Sequence, residues 1–235
     1  MVKYVDDVCL VSSIRKSNFS QDIENLKKEI KHITDWSNTN GMTLNISKTT
    51  GLVKYRGTFK ETCNVNDLIY GVVFQPDVRF LGIILDDTLK WKRHVNYIAK
   101  KSSQRMYILR RMKTVASVVE CKQIYYALIR SLLEYACPAF VGLSNSDSKA
   151  IKKIQNRCMR IIGVEKSLVE DLDDRRKKLA RNIFETMRNH ETFISDFVPP
   201  LLPSGRSSVI HCNTNLRRNS FFPYLCNLIS GVHCD

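Results

Sequence analysis

The chain has 235 residues, 43% of them hydrophobic and 26% charged, with 37 Lys and Arg against 23 Asp and Glu and a formal net charge of +14. That balance excludes a disordered chain and allows a buried core, and no apolar run reaches the length a membrane span needs. The excess of positive charge calls for a polyanionic partner, with nucleic acid ahead of an anionic membrane surface.

Residues 2–13 alternate around two acids. Tyr4-Val5 precedes Asp6-Asp7, and Val8-Cys9-Leu10-Val11 follows. The pattern predicts strand, tight turn, strand, and Asp suits the turn because its short side chain bonds nearby amides. The spacing of Ile23, Leu26, Ile30 and Ile33 predicts a helix over 20–38, with Trp36 near the same face. Ser17 or Ser20 is its expected cap and Asn40-Gly41 its stop. A bent strand is expected at 44–48 and 51–53, a polar loop or short hairpin at 56–67, and strands at 72–74 and 80–85. Asp86-Asp87 marks the next turn.

From Leu89 the period changes. Residues 89–113 hold nine cations, Lys90, Lys92, Arg93, Lys100, Lys101, Arg105, Arg110, Arg111 and Lys113, and no acid. Val95, Ile98, Met106, Leu109 and Met112 fall on one side, so an amphipathic helix with a basic outer face is expected. A more apolar helix is expected over 117–136, ended by Pro138. A third spans 149–162, with Ile151, Ile154, Cys158 and Ile161 facing in. A fourth spans 167–190 on the stripe Leu168, Leu172, Leu179, Ile183 and Met187. Beyond Pro199-Pro200 and Pro203 an irregular tail is expected. The fold class is α+β: β-rich with one helix up to about residue 88, then helical, which suggests two subdomains.

Two adjacent carboxylates on a turn between apolar strands suit Mg²⁺, which takes hard oxygen ligands. A solvated hairpin turn is the ordinary alternative, and the apolar flanks of Asp6-Asp7 weigh against it. A run of cations without an acid repels itself unless a polyanion offsets it, and phosphate contacts of that kind bind without regard to sequence. The eight Cys, at 9, 63, 121, 137, 158, 212, 226 and 234, form no Cys-x-x-Cys and are expected as free thiols in a reducing compartment. His211-Cys212 and His233-Cys234 match no standard zinc spacing. The first residues, with acids where an apolar core belongs, do not form a signal peptide. An intracellular location, cytoplasm or nucleus, is expected.

Several segments in order carry a resemblance. Tyr4-Val5-Asp6-Asp7 is followed by Asn40-Gly41-Met42-Thr43-Leu44-Asn45-Ile46-Ser47-Lys48-Thr49. Then come Phe80-Leu81-Gly82-Ile83-Ile84-Leu85-Asp86 with Leu89-Lys90-Trp91 and His94. Ser131-Leu132-Leu133-Glu134-Tyr135-Ala136-Cys137-Pro138, Ile154-Gln155-Asn156-Arg157 with Arg160-Ile161-Ile162-Gly163, and Arg218-Asn219-Ser220-Phe221-Phe222-Pro223 complete the series. Together they resemble the C-terminal part of a reverse transcriptase of the non-LTR (LINE-type) retrotransposon kind, over nearly the whole chain.

That resemblance implies a partial palm of antiparallel strands plus a helix over 1–88, a helical thumb-like subdomain over 89–190, and an irregular tail over 191–235. It implies an RNA-directed DNA polymerase acting by two-metal nucleotidyl transfer. Asp6 and Asp7 would hold Mg²⁺, with Asp6 the more direct ligand. Lys48 would lie near the triphosphate, and Tyr4 and Val5 near the primer terminus. Phe80, Leu81 and Gly82 would pack beneath the primer end, and Lys92, Arg93, Lys100, Lys101 and Arg105 would meet nucleic acid. The implied partners are an RNA template, a DNA primer, and the N-terminal polymerase and endonuclease regions of a parent protein; no membrane is expected. Such a palm also uses a carboxylate on a strand preceding Tyr-x-Asp-Asp, so this chain alone is expected not to polymerise DNA. The alternative is a non-catalytic basic nucleic-acid-binding module, or a decayed remnant.

Overall fold

The computed structural model describes residues 2–4, 7–54, 72–189, 195–204 and 207–230. The expected polar loop at 56–67 lies outside them, as do Val5 and Asp6 at the first turn and His233-Cys234. The architecture mixes helix with small two-stranded sheets, an α+β arrangement. Residues 1–78 with 86–88 make one compact unit, and residues 79–85 with 89–235 make the other.

In the first unit, β1 (Val2–Tyr4) pairs antiparallel with β2 (Asp7–Cys9), and Tyr4 stands opposite Asp7. The two strands expected on either side of Asp6 are therefore present, while Val5 and Asp6 between them lie outside the described residues. Helix α1 (Phe19–Thr39) begins differently from expectation. Neither Ser17 nor Ser20 is its N-cap; Asn18 is, and its side chain makes no capping bond. The first turn is tied instead by Arg15, whose guanidinium and main-chain N–H donate to the Asp22 carboxylate at 2.8–3.2 Å. An acid in the first turn also meets the positive end of the helix dipole. Gly41, at φ 68°, ends the helix in the left-handed conformation.

The bent strand expected at 44–48 is a 3₁₀ turn at Ile46–Lys48. The Asn45 side chain accepts from Lys48 N–H at 3.2 Å and from the Ser47 hydroxyl at 2.7 Å. Such local side-chain bonds compete with a sheet ladder. β3 (Thr50–Gly51) then pairs parallel with β4 (Val73–Phe74). A Cβ on Gly51 would stand 2.4 Å from the Phe74 ring, so a larger residue there requires that ring to move.

β5 (Asp77–Phe80) and β6 (Ile83–Asp86) form a hairpin where one strand over 80–85 was expected. Leu81 and Gly82 both adopt positive φ, 45° and 79°, as a two-residue hairpin turn of the right twist requires. The apolar run concealed the turn because Leu rarely takes that conformation.

The second unit is helical. α2 (Lys92–Met112) is followed by α3 (Val118–Ile124), which continues into a π-helical turn, Tyr125–Arg130, and then α4 (Ser131–Glu134). The helix expected over 117–136 is therefore one helix with a widened turn inside it. Ser117 and Glu120 start it as a reciprocal capping box. Ala136, at φ 53°, redirects the chain into a 3₁₀ turn at Cys137–Phe140. α5 (Asn145–Ile162) is capped by Ser144 and stopped by Gly163 at φ 83°. The core joins Val95, Ile98, Met106 and Leu109 of α2 to Cys121, Tyr125, Ile129 and Leu133, and to Ile151, Ile154, Cys158 and Ile162 of α5. Each such Leu, Ile or Val contributes about 1.5–3 kcal/mol by burial.

α6 (Leu172–Asn189) keeps its expected position but not its expected face. Leu168 lies before it in a separate 3₁₀ turn and is 68% exposed, and Ile183 is exposed. The buried residues are Leu172, Arg176, Ala180 and Phe184, at four-residue steps. Arg176 is tolerated inside because it bonds Asp173 at 2.8 Å and lies 5.7 Å over the Phe140 ring. The stretch expected to be an irregular tail contains α7 (Asn215–Arg218) and α8 (Phe221–Ile229). Leu225 and Cys226 of α8 form a second cluster with Val141, Ala180 and Phe184. Among the described residues the cysteines are free thiols, and no helix is long and apolar enough to cross a membrane.

Candidate nucleic-acid interface

Helix α2 has 21 residues, a length of about 30 Å. Its inner side is settled by Val95, Ile98, Ser102, Met106 and Leu109, all buried. The helical period then forces the remaining positions outward. Lys92, Arg93, Lys100, Lys101, Arg110 and Arg111 are all exposed. Among the described residues, Lys92, Lys100, Lys101 and Arg110 take part in no ion pair. Those four charges are therefore not neutralised by a paired acid, and an exposed row of like charges of this kind favours anions near it.

Two cations of the run are diverted. Arg105 is half-buried and its guanidinium donates to the Leu128 carbonyl in the π-helical turn. A widened turn leaves carbonyls off the regular ladder, and Arg105 satisfies one of them. Lys113 donates to the Ile162 carbonyl at 2.8 Å, at the negative end of α5. Of the five expected phosphate-binding residues, Lys92, Arg93, Lys100 and Lys101 stand on the exposed face, and Arg105 is drawn aside into a structural bond.

Tyr107 was not among the expected contacts. It lies seven residues beyond Lys100, on the same side of the helix. Its ring is 57% exposed. The Arg111 guanidinium sits 5.9 Å from the ring centroid, and one N–H donates to the Tyr107 hydroxyl at 3.1 Å.

The Phe80-Leu81-Gly82 segment forms the tip of the β5–β6 hairpin, and another motif from the sequence holds it. The Tyr135 hydroxyl donates to the Leu81 carbonyl at 2.7 Å. A Cβ on Gly82 would meet the Tyr135 ring at 3.2 Å. Ile84 N–H donates to His94 Nδ1 at 3.4 Å. Burial pushes the His94 pKa down, so the ring stays neutral and keeps an acceptor nitrogen. Trp91 and Phe140 flank that imidazole, their ring centroids 6.3 and 5.2 Å away. Arg79 of β5 lies 5.4 Å over the Tyr97 ring of α2. Among the described residues, Leu81, Leu89, Trp91 and Ala136 are the non-glycine positions with positive φ, and all occur in connections between helices or strands. Each costs about 1–2 kcal/mol and persists because the surrounding contacts leave no alternative.

The acidic site is less developed. Asp7 is exposed at the start of β2 and offers one hard oxygen donor of the kind Mg²⁺ takes. Its expected fellow ligand, Asp6, lies outside the described residues, as does Val5. Tyr4 ends β1 opposite Asp7. Lys48 is exposed at the end of its 3₁₀ turn. Among the described residues no group of three His, Cys, Asp or Glu is placed to hold a metal ion.

No family model matches the chain, and neither a curated protein nor a solved structure does.

Proposed function

We propose that the chain is the end of the palm and the thumb of an RNA-directed DNA polymerase of the non-LTR retrotransposon kind, and that α2 is where it grips an RNA template paired with a DNA primer. The observation that carries the binding part is the acid-free exposed face of α2, anchored along its whole length by core residues. A rigid helix presents phosphate-binding groups at fixed spacing, so little ordering entropy is lost when they are engaged. In the whole enzyme, nucleotidyl transfer needs Mg²⁺ held by carboxylates, which neutralises developing charge on the phosphoryl oxygens. The resemblance gives that role to Asp6 and Asp7, and places Lys48 beside the triphosphate.

A second reading, a binding module without chemistry, is favoured by the exposure of both Asp7 and Lys48. The two readings share α2 and differ over the carboxylates.

Binding of the full chain to an RNA–DNA hybrid across a salt series tests the shared part. Lys92→Gln/Lys100→Gln/Arg110→Gln should weaken binding and flatten the log–log salt dependence by about one unit per cation removed. An unchanged slope overturns the assignment of α2. Because this chain alone is expected not to polymerise DNA, primer extension with Mg²⁺ by the chain joined to the fingers and upstream palm of such an enzyme, beside Asp6→Ala/Asp7→Ala, separates the two readings. Synthesis abolished by the double substitution supports the polymerase, and its absence in both supports the module.

A further inference from the structure

We infer that α2 takes a strand with unpaired bases as well as a paired template and primer, and that Tyr107 is the platform on which one such base stacks. The inference rests on α2 being a nucleic-acid face and adds a single-stranded ligand to the paired one, which the cations alone would hold.

Lys100, Ser103, Gln104, Arg110 and Arg111 are exposed on the outer side of α2, with Ile108 at 45% exposure, and Tyr107 places a large aromatic ring among them, the residue more than half exposed. Packing does not require the ring, because the core is completed by Met106 and Leu109 on the other side. The ring is also held in place. Arg111 lies against it at 5.9 Å and fixes its hydroxyl at 3.1 Å. A pre-oriented ring backed by a guanidinium loses little freedom when a second π-system joins the stack, and the cation strengthens it.

Position matters as well. Along the helix axis, Lys100 lies about 10 Å to one side of Tyr107 and Arg111 about 6 Å to the other. A strand whose phosphates meet those cations lays its bases across the ring. In a closed duplex the bases are stacked on one another and their faces are covered, so the ring has nothing to stack on. An exposed aromatic between cations is the combination that single strands use, and it tolerates any base because every base has a π-face.

The test uses the full chain and three probes: an oligodeoxythymidine strand, an abasic strand of the same length, and a duplex of the same length. Tyr107→Ala should weaken oligodeoxythymidine binding by about 5- to 150-fold, the range found for loss of one base–aromatic stack, and leave the abasic strand and the duplex within about two-fold. Tyr107→Phe keeps the ring and loses only the hydroxyl that Arg111 holds, so it should bind far closer to the parent than Tyr107→Ala does. An equal loss on the abasic strand, or no loss on oligodeoxythymidine, overturns the stacking role while the basic face stands. A parent chain that binds none of the three probes at low salt overturns the interface itself, and the stacking role with it. Since Tyr107 is exposed, a far-ultraviolet dichroism spectrum unchanged by Tyr107→Ala confirms that the comparison is between folded chains.

Discussion

Glu134 offers a sharp test of how the helical unit is held together. Its side chain is 19% exposed and receives Arg130 Nε at 2.6 Å on one oxygen and Arg175 Nε at 3.2 Å on the other. Arg130 is the deeper partner, with its side chain 5% exposed. Its other company is Glu170 at 3.9 Å, itself 42% exposed, and the Tyr126 ring at 5.3 Å. Glu134→Ala therefore leaves a buried guanidinium with one distant, solvated carboxylate. Breaking a buried pair from one side costs about 3–5 kcal/mol. Because Glu170 and Tyr126 compensate in part, a value near 3 kcal/mol at the low end is expected. Arg130→Met/Glu134→Leu removes both charges and should be close to neutral, because the desolvation cost disappears with the attraction. Urea unfolding followed by helical dichroism measures both. With a slope of about 2 kcal/mol per molar, Glu134→Ala should lower the midpoint by roughly 1.5 M and the double variant by less than about 0.5 M. Equal midpoints for the single and double variants would refute the argument, because Arg130 would then not depend on its partner.

Two further outcomes follow from the same contacts. A Cβ at Gly142 would lie 2.1 Å from the Asn219 carbonyl oxygen, with backbone on both sides, so neither can yield cheaply; Gly142→Ala should cost about 1–3 kcal/mol and make 207–230 the first segment cut in limited proteolysis, and an unchanged digestion pattern counts against that packing. The folded-state pKa of His94 lies below its ordinary value because of burial, so as pH falls the unfolded chain takes up the proton first. The contribution of His94 is then complete above about pH 6.5 and lost as pH drops through the folded value. The urea midpoint should therefore fall between pH 7 and 5 more in the parent than in His94→Gln, and equal falls would assign the acid sensitivity elsewhere.

What was readable in the sequence divides along physical lines. α2 and α5 were legible because their apolar residues recur at the helical period, with only His94 and Ser102 in α2 and Gln155 in α5 as buried polar exceptions. α6 was legible as a helix with Leu172 inward, but its buried line runs on through Arg176, Ala180 and Phe184 and leaves Ile183 exposed, since periodicity counts Arg176 as a surface residue and the fold buries it on Phe140 and Asp173. The hairpin tip was hidden by Leu81, whose conformation depends on Tyr135, a residue 54 positions away. Arg105 could have been placed without coordinates: it precedes buried Met106 and lies four before buried Leu109, at the edge of the inner stripe. Tyr107, seven residues from Lys100, was equally within reach of a helical wheel. The relation of Lys48 to the acids was not, because it depends on how separate strands come together and no local pattern encodes that.

The π-helical turn at Tyr125–Arg130 bears on how this chain can change in length. Its wide hydrogen bonds, such as Ser131 N–H to the Tyr126 carbonyl, accommodate one residue beyond what an α-helix would hold over the same rise. A surplus residue elsewhere in a helix turns everything after it by about 100°, whereas here it is absorbed in place, and Tyr125, Ile129 and Leu133 on either side still reach one core. A one-residue deletion inside 125–130 can close the turn into ordinary helix with both flanks keeping their bearing, while the same deletion in α2 or α5 would swing half a helix out of register. The region most unusual in geometry is therefore the one most forgiving of a lost residue, and the immediate casualty would be the carbonyl that Arg105 now holds.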